Sequence, residues 1–108
     1  MKEVISIKNV TTKKFLVKFG QEFCIPCEIT GRNLDEIEKD FDFPFYATNN
    51  VDEAIERGYK NLPVVMIYND GNWIELTDTS IMMNKEALKD WISNNNELKD
   101  ATELKENN

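Results

Sequence analysis

The chain contains no histidine and only two cysteines among its 108 residues. A zinc ion needs about four protein ligands, so a site here would have to draw on carboxylates or a second subunit, and no metal is expected. No apolar run approaches the roughly 20 residues that span a bilayer. The opening Met1-Lys2-Glu3-Val4-Ile5-Ser6 also lacks the long apolar stretch of a signal peptide. The expected location is therefore the cytoplasm. Basic residues are outnumbered 13 to 20, for a net charge of −7. That balance argues against a nucleic-acid backbone or an anionic membrane surface as the main partner. Repeats and linkers are absent too, and one domain is expected over residues 1–94. Residues 95–108 form a polar, acidic tail that either extends the last helix or frays.

The two cysteines stand together as Cys24-Ile25-Pro26-Cys27, after the strand-like run Phe15-Leu16-Val17-Lys18-Phe19. Two intervening residues let both cysteines share the first turn of a helix with their sulfurs within bonding reach. Unpaired amides and the positive helix end there favour a thiolate on the first cysteine and make it a nucleophile. Pro26 fits such a start, because its missing N–H would have had no helical partner anyway. A purely structural disulfide closing so short a loop would constrain the unfolded chain little, since the entropic gain grows with loop length. In the cytoplasm a lone pair of this kind is a cycling redox pair rather than a permanent bridge.

Around that pair the pattern alternates strands and helices. Val4-Ile5-Ser6-Ile7 and Phe15 to Phe19 read as strands joined by a turn. A helix follows from Cys24, with Cys27, Leu34, Ile37 and Phe41 inward and Gly31 as a point of bending. Phe43 to Thr48 reads as a third strand whose pairing Pro44 restricts. Asn50 caps a short helix with Val51, Ala54, Ile55 and Tyr59 as its apolar stripe, stopped at Gly58. Pro63 to Tyr68 is a buried central strand, and Asn69-Asp70-Gly71-Asn72 turns into Trp73-Ile74-Glu75-Leu76 as a hairpin. Asn84 caps a last helix with Ala87, Leu88, Trp91 and Ile92 buried. The order is β-β-α-β-α-β-β-α, an α/β fold with a mixed central sheet and helices on its faces.

Two landmarks together, Cys24-Ile25-Pro26-Cys27 at a strand-to-helix junction and Leu62-Pro63-Val64-Val65 opening a strand before a hairpin and final helix, carry a resemblance. From about Phe15 to Trp91 the chain resembles the thioredoxin and glutaredoxin superfamily. Phe23 stands where that superfamily usually has an aromatic residue before the first cysteine. Pro63 lies 36 positions after Cys27, closer to the glutaredoxin interval than to the thioredoxin one. Asp42-Phe43 and the Leu62-Pro63 strand also look like the small redoxins that serve ribonucleotide reductase.

The resemblance implies the thioredoxin fold, with a sheet of four to five strands. It implies protein-disulfide reductase activity, with Cys24 as nucleophile and Cys27 as resolving thiol, and no cofactor beyond the Cys24-Cys27 disulfide. It also implies a cis peptide bond before Pro63, with the backbone of Leu62 offered to an extended substrate. Phe23, Ile25, Pro26, Leu62 and Pro63 are the candidate substrate-binding residues, although Phe23, Ile25 and Leu62 equally suit ordinary packing. Partners implied are disulfide-containing proteins, with ribonucleotide reductase among them, and thioredoxin reductase as donor to a monomer. Two departures bear on mechanism. The buried Asp of thioredoxins falls on Lys18, which favours the thiolate if it faces Cys27 and otherwise, the reading preferred from sequence, is a surface amine. Glu75-Leu76-Thr77-Asp78-Thr79-Ser80 contains no Gly-Gly pair, which disfavours glutathione-dependent action. A binding module in which the cysteines are incidental is the rival from another class.

Overall fold

The computed structural model describes residues 1–96. The expected tail therefore lies, from residue 97 onward, outside the described part. Five strands form one sheet in the order β1-β3-β2-β4-β5: β1 (Lys2–Glu3), β2 (Lys14–Phe19), β3 (Phe45–Thr48), β4 (Val64–Asn69) and β5 (Asn72–Leu76). β1 and β2 flank β3 in parallel, while β4 runs antiparallel to both β2 and β5. The sheet is mixed, with helices on its faces, as expected.

Strand alternation divides the core in two. Leu16, Phe45, Val65 and Ile67 face a cluster closed by α1 (Ile25–Ile37), α3 (Thr79–Met82) and α4 (Lys85–Asn95), which supply Leu34, Ile37, Met82, Leu88 and Ile92. Phe15, Val17, Phe19, Val64 and Met66 point the other way, toward Ile7 and Ala54 of α2 (Val51–Glu56). The period of two along β2 and β4 is the cause: successive side chains take opposite faces.

The helix starts are local. The N–H of Glu53 donates to Asn50 Oδ1 at 3.0 Å and that of Ala87 to Asn84 Oδ1 at 3.0 Å, so both asparagines cap as expected. The chain leaves α2 after the C-cap Arg57 through Gly58, whose φ of 90° favours a residue without a Cβ. In the β4–β5 hairpin Asp70 and Gly71 both take positive φ, 50° and 95°, the twist a two-residue loop needs.

Several expectations are corrected. The β-branched run Val4 to Ile7 is not the first strand. Pairing occurs earlier, Lys2 with Tyr46 and Glu3 with Ala47, and the chain then leaves the sheet into a 3-10 turn at Ile7–Asn9 with Ser6 capping Lys8. Ile5 is left exposed. The third strand begins at Phe45, since Pro44 can offer only its carbonyl, which accepts from Leu16 N–H at 3.0 Å. Phe41 lies beyond α1, after a 3-10 turn at Glu38–Asp40, yet still packs on the core. Ile55 turns outward, and Glu53 is buried instead. On the last helix Ala87 and Trp91 are only half-buried. α3 was not anticipated: its four residues are capped by Asp78, and it buries Met82.

Candidate functional site

β2 delivers the chain through Gly20-Gln21-Glu22-Phe23 to the N-terminus of α1. Gly20 is held by its N–H on Thr48 carbonyl at 2.9 Å. Cys24 is the N-cap: its Sγ accepts the N–H of Cys27 at 3.2 Å, and its carbonyl accepts from Glu28 N–H at 3.1 Å. Pro26 occupies the first turn. The helix start thus fixes both cysteines at once, with Cα atoms 5.2 Å apart and the two sulfurs joined as a disulfide. Cys24 is 8% exposed and Cys27 3%.

The expected site residues divide by environment. Phe23 is 99% exposed at a φ of 56°, and Ile25 is 69% exposed, so neither packs within the chain. A bulky aromatic in the left-handed region is uncommon. Pro26 and Leu62 are half-buried, and Pro63 is buried after a cis bond from Leu62. The β2–β4 register, Phe19 with Val64, sets Pro63 across from Gly20. A Cβ on Gly20 would stand 3.4 Å from Cys27 Cβ, so Gly20 is the common neighbour of proline and dithiol. Neither the N–H nor the C=O of Leu62 takes a backbone partner among the described residues.

Lys18 corrects the preferred reading as a surface amine. It is 9% exposed, lies on the Leu16 side of β2, and its Nζ donates to the carbonyl of Cys27 at 3.2 Å. Burial pulls its pKa below the ordinary lysine value, opposed by the charges of Glu3, Asp35 and Glu28. Gly31 is also not a bend: α1 runs through it, and a Cβ there would lie 3.0 Å from Lys18 Nζ. It is small because the lysine passes it.

One opening reaches Cys27, and another lies on the α2 side beside Leu62. The first, of about 750 Å³, exposes Lys18 and Cys27 between Glu3, Glu28 and Thr48. The other, of about 400 Å³, is an apolar groove between Val51, Ala54, Ile55 and Tyr59 of the α2 region and Leu62. Sequence reasoning missed both Gly20 and Gly31. The sequence carried a signal for Gly20 alone, two positions after Lys18 at the end of β2; Gly31 meets the lysine only through the packing of α1.

A thioredoxin from Rickettsia bellii is 33% identical over 104 residues, spanning 81% of this chain and 96% of its own length. One from Rickettsia typhi is 34% identical over 98 residues, spanning 82% and 90%. The chain belongs to the thioredoxin family. As a thioredoxin family member it is a thiol-disulfide oxidoreductase, a protein-disulfide reductase acting through its Cys-x-x-Cys pair. No protein-family model matches it. Solved structures agree on the thioredoxin fold: an N21Q mutant thioredoxin from Halobacterium salinarum superposes with TM-score 0.70 at 22% identity, covering 90% of this chain and 91% of that one. A Plasmodium falciparum thioredoxin gives 0.68 at 22%, covering 88% and 99%. Among the described residues no helix is long and apolar enough to cross a membrane.

Proposed function

We propose that Cys24 attacks a protein disulfide as a thiolate, that Cys27 resolves the mixed disulfide, and that thioredoxin reductase returns the chain to its dithiol form. The observation that carries this is the asymmetry of the pair: Cys24 caps α1 beside the exposed Phe23 and Ile25, whereas Cys27 lies beneath it at 3% exposure. A capping sulfur receives the helix-end amides, which lowers a thiol's pKa. The deeper sulfur is reached only from within.

An extended substrate segment lies along Leu62, whose unpaired N–H and C=O offer a strand edge, with Pro63 behind it and Phe23, Ile25 and Pro26 as apolar rim. The Cys24-Cys27 disulfide serves as the sole redox group. The chain works as a cytoplasmic monomer and as a reductant rather than an oxidant, with ribonucleotide reductase among its recipients. The support for thioredoxin reductase over glutathione is the lack of Gly-Gly after the hairpin, where Thr77-Asp78-Thr79 leads into α3.

The test is NADPH consumption with insulin as substrate, recycled either by thioredoxin reductase or by glutathione with its reductase. Turnover with the first is expected. Turnover only with glutathione overturns the donor assignment. Cys27→Ser should accumulate a mixed disulfide through Cys24, and none accumulating would count against the order of attack.

A further inference from the structure

Lys18 is a buried cation with no carboxylate within 4.0 Å among the described residues; the ion pairs there involve Met1, Lys85 and Lys89 instead. An unpaired buried charge is costly, yet the fold makes room for it. Two glycines line its course, Gly20 beside its Cε and Gly31 beside its Nζ, where added Cβ atoms would stand 3.4 and 3.0 Å away. The side chain ends on the peptide of Cys27, at 3.2 Å from its carbonyl. The reaction creates an anion on that same residue, the thiolate of Cys27, whose Cβ borders the Gly20 position at 3.4 Å just as the lysine Cε does.

We propose that Lys18 is the positioning cation of the resolving step, favouring the thiolate over the thiol at Cys27. The inference rests on the reading of Cys27 as the resolving thiol. Charged groups facing Lys18 come from both elements around it, Glu3 of β1 and Glu28 and Asp35 of α1, and all three favour the protonated amine against burial. No base is then needed in the chain. The Cys27 proton leaves to water through the cleft of about 750 Å³ that reaches both residues.

The step balances without a further reagent. Cys24 thiolate forms a bond to one substrate sulfur, the substrate disulfide breaks, and the first substrate thiolate departs and takes a proton from water. Cys27 thiolate then bonds to Cys24 Sγ, the mixed disulfide breaks, and the second substrate thiolate departs likewise. Two electrons pass from the cysteine pair to the substrate. Lys18 stays protonated throughout. Since its charge stabilises the dithiol form and not the neutral disulfide, it also makes the chain a milder reductant than its uncharged variant.

The experiment compares Lys18→Met, which keeps length without charge, Lys18→Gln, which keeps a neutral donor for the Cys27 carbonyl, and Lys18→Arg, which keeps the charge. NMR titration of the cysteine β-carbons in the reduced proteins reads each thiol directly. Removing the opposite charge should raise the Cys27 midpoint by about 1–3 pH units in both neutral variants, with Arg near wild type. At neutral pH, release of an aromatic thiol from the Cys24 mixed disulfide should slow about tenfold, one decade per unit lost from the thiolate fraction. The equilibrium against a reference dithiol should move about tenfold toward the oxidised variant, about 30 mV for a two-electron couple. An unchanged Cys27 midpoint in Lys18→Met overturns the proposal. So does a Lys18→Gln chain that titrates like wild type, because a hydrogen bond rather than charge would then suffice. If Cys27→Ser traps no mixed disulfide, the resolving role fails, and the Cys27 titration still decides for or against Lys18.

Discussion

The face of the sheet under α1, α3 and α4 is sealed by three helices over a cluster of aliphatic side chains and the ring triad Phe41, Phe43 and Phe45, while the face under α2 is closed by a six-residue helix, an irregular N-terminal segment and a belt of aromatics. On the first face Leu34, Met82, Leu88 and Ile92 are fully buried. On the second, Phe15 packs edge-on against Tyr46 and Trp73, with ring centroids 5.8 Å away in each case. The N-terminal segment is pinned there by polar bonds: Glu53 accepts from Ser6 Oγ at 2.7 Å and from Ile7 N–H at 3.0 Å. One face is held by packing and the other by packing plus a buried carboxylate. The dithiol sits where the two meet, with α1 supplying the cysteines and the α2 side supplying the groove beside Leu62.

The largest expected effect tests the well-packed face. Leu88→Ala should cost about 4 kcal/mol in urea unfolding, because a long helix cannot collapse into the space left behind. Ile7→Ala on the α2 face should cost about 2 kcal/mol, since its cover is an irregular turn able to relax. Equal losses would erase the distinction. Glu53→Ala should remove about 2 kcal/mol by orphaning the Ile7 amide and the Ser6 hydroxyl, and amide exchange should quicken at Ile7 before it quickens at Leu34. A uniform rise in exchange would mean that the two faces open together.

The smaller effects probe polar atoms under α1. Thr30 Oγ1 is buried without a hydrogen-bond partner among the described residues, so Thr30→Val should gain about 1 kcal/mol; a loss would show that the hydroxyl is bonded in solution. For Lys18 the sign follows from its lowered pKa. The unfolded chain holds the lysine proton more tightly than the folded one, so the penalty is present in full at neutral pH. It fades as pH rises through the folded value toward the ordinary 10.5. Lys18→Met should therefore exceed wild type in stability at neutral pH by more than it does near pH 10.5. A gap that stays constant with pH would mean that burial does not destabilise the ammonium.

How far the sequence could be read depended on the range of the interaction. Asn50 and Asn84 cap helices through partners three residues on, and Asp70-Gly71 turns within four, so both were visible in the order of residues. β1 was misplaced because an edge strand is chosen by its partner, here Tyr46 and Ala47, and not by its own β-branched content. α3 was missed because four residues carry too little periodicity, and what holds it is the burial of Met82 in the cluster it shares with α4 and with α1, the latter distant in sequence. Ile55 left the apolar stripe and Glu53 was buried for a similar reason: Ser6 and Ile7, 47 and 46 positions away from the carboxylate, needed an acceptor.

By itself the order of residues determined the redox chemistry: two cysteines two apart at a helix start, with proline in the first turn, bring their sulfurs together through local backbone geometry alone. It also set the alternation that divides the core, since the period of a strand is a covalent property. Folding in three dimensions decided which neighbours that chemistry has. Pro63 is set across from Gly20, the neighbour of Cys27, by the β2–β4 register, and Lys18 turns under α1 rather than into solvent because its parity on β2 matches that of Leu16 and two glycines leave it a passage. Register and free volume are relations between distant segments, and they exist only once the segments have packed.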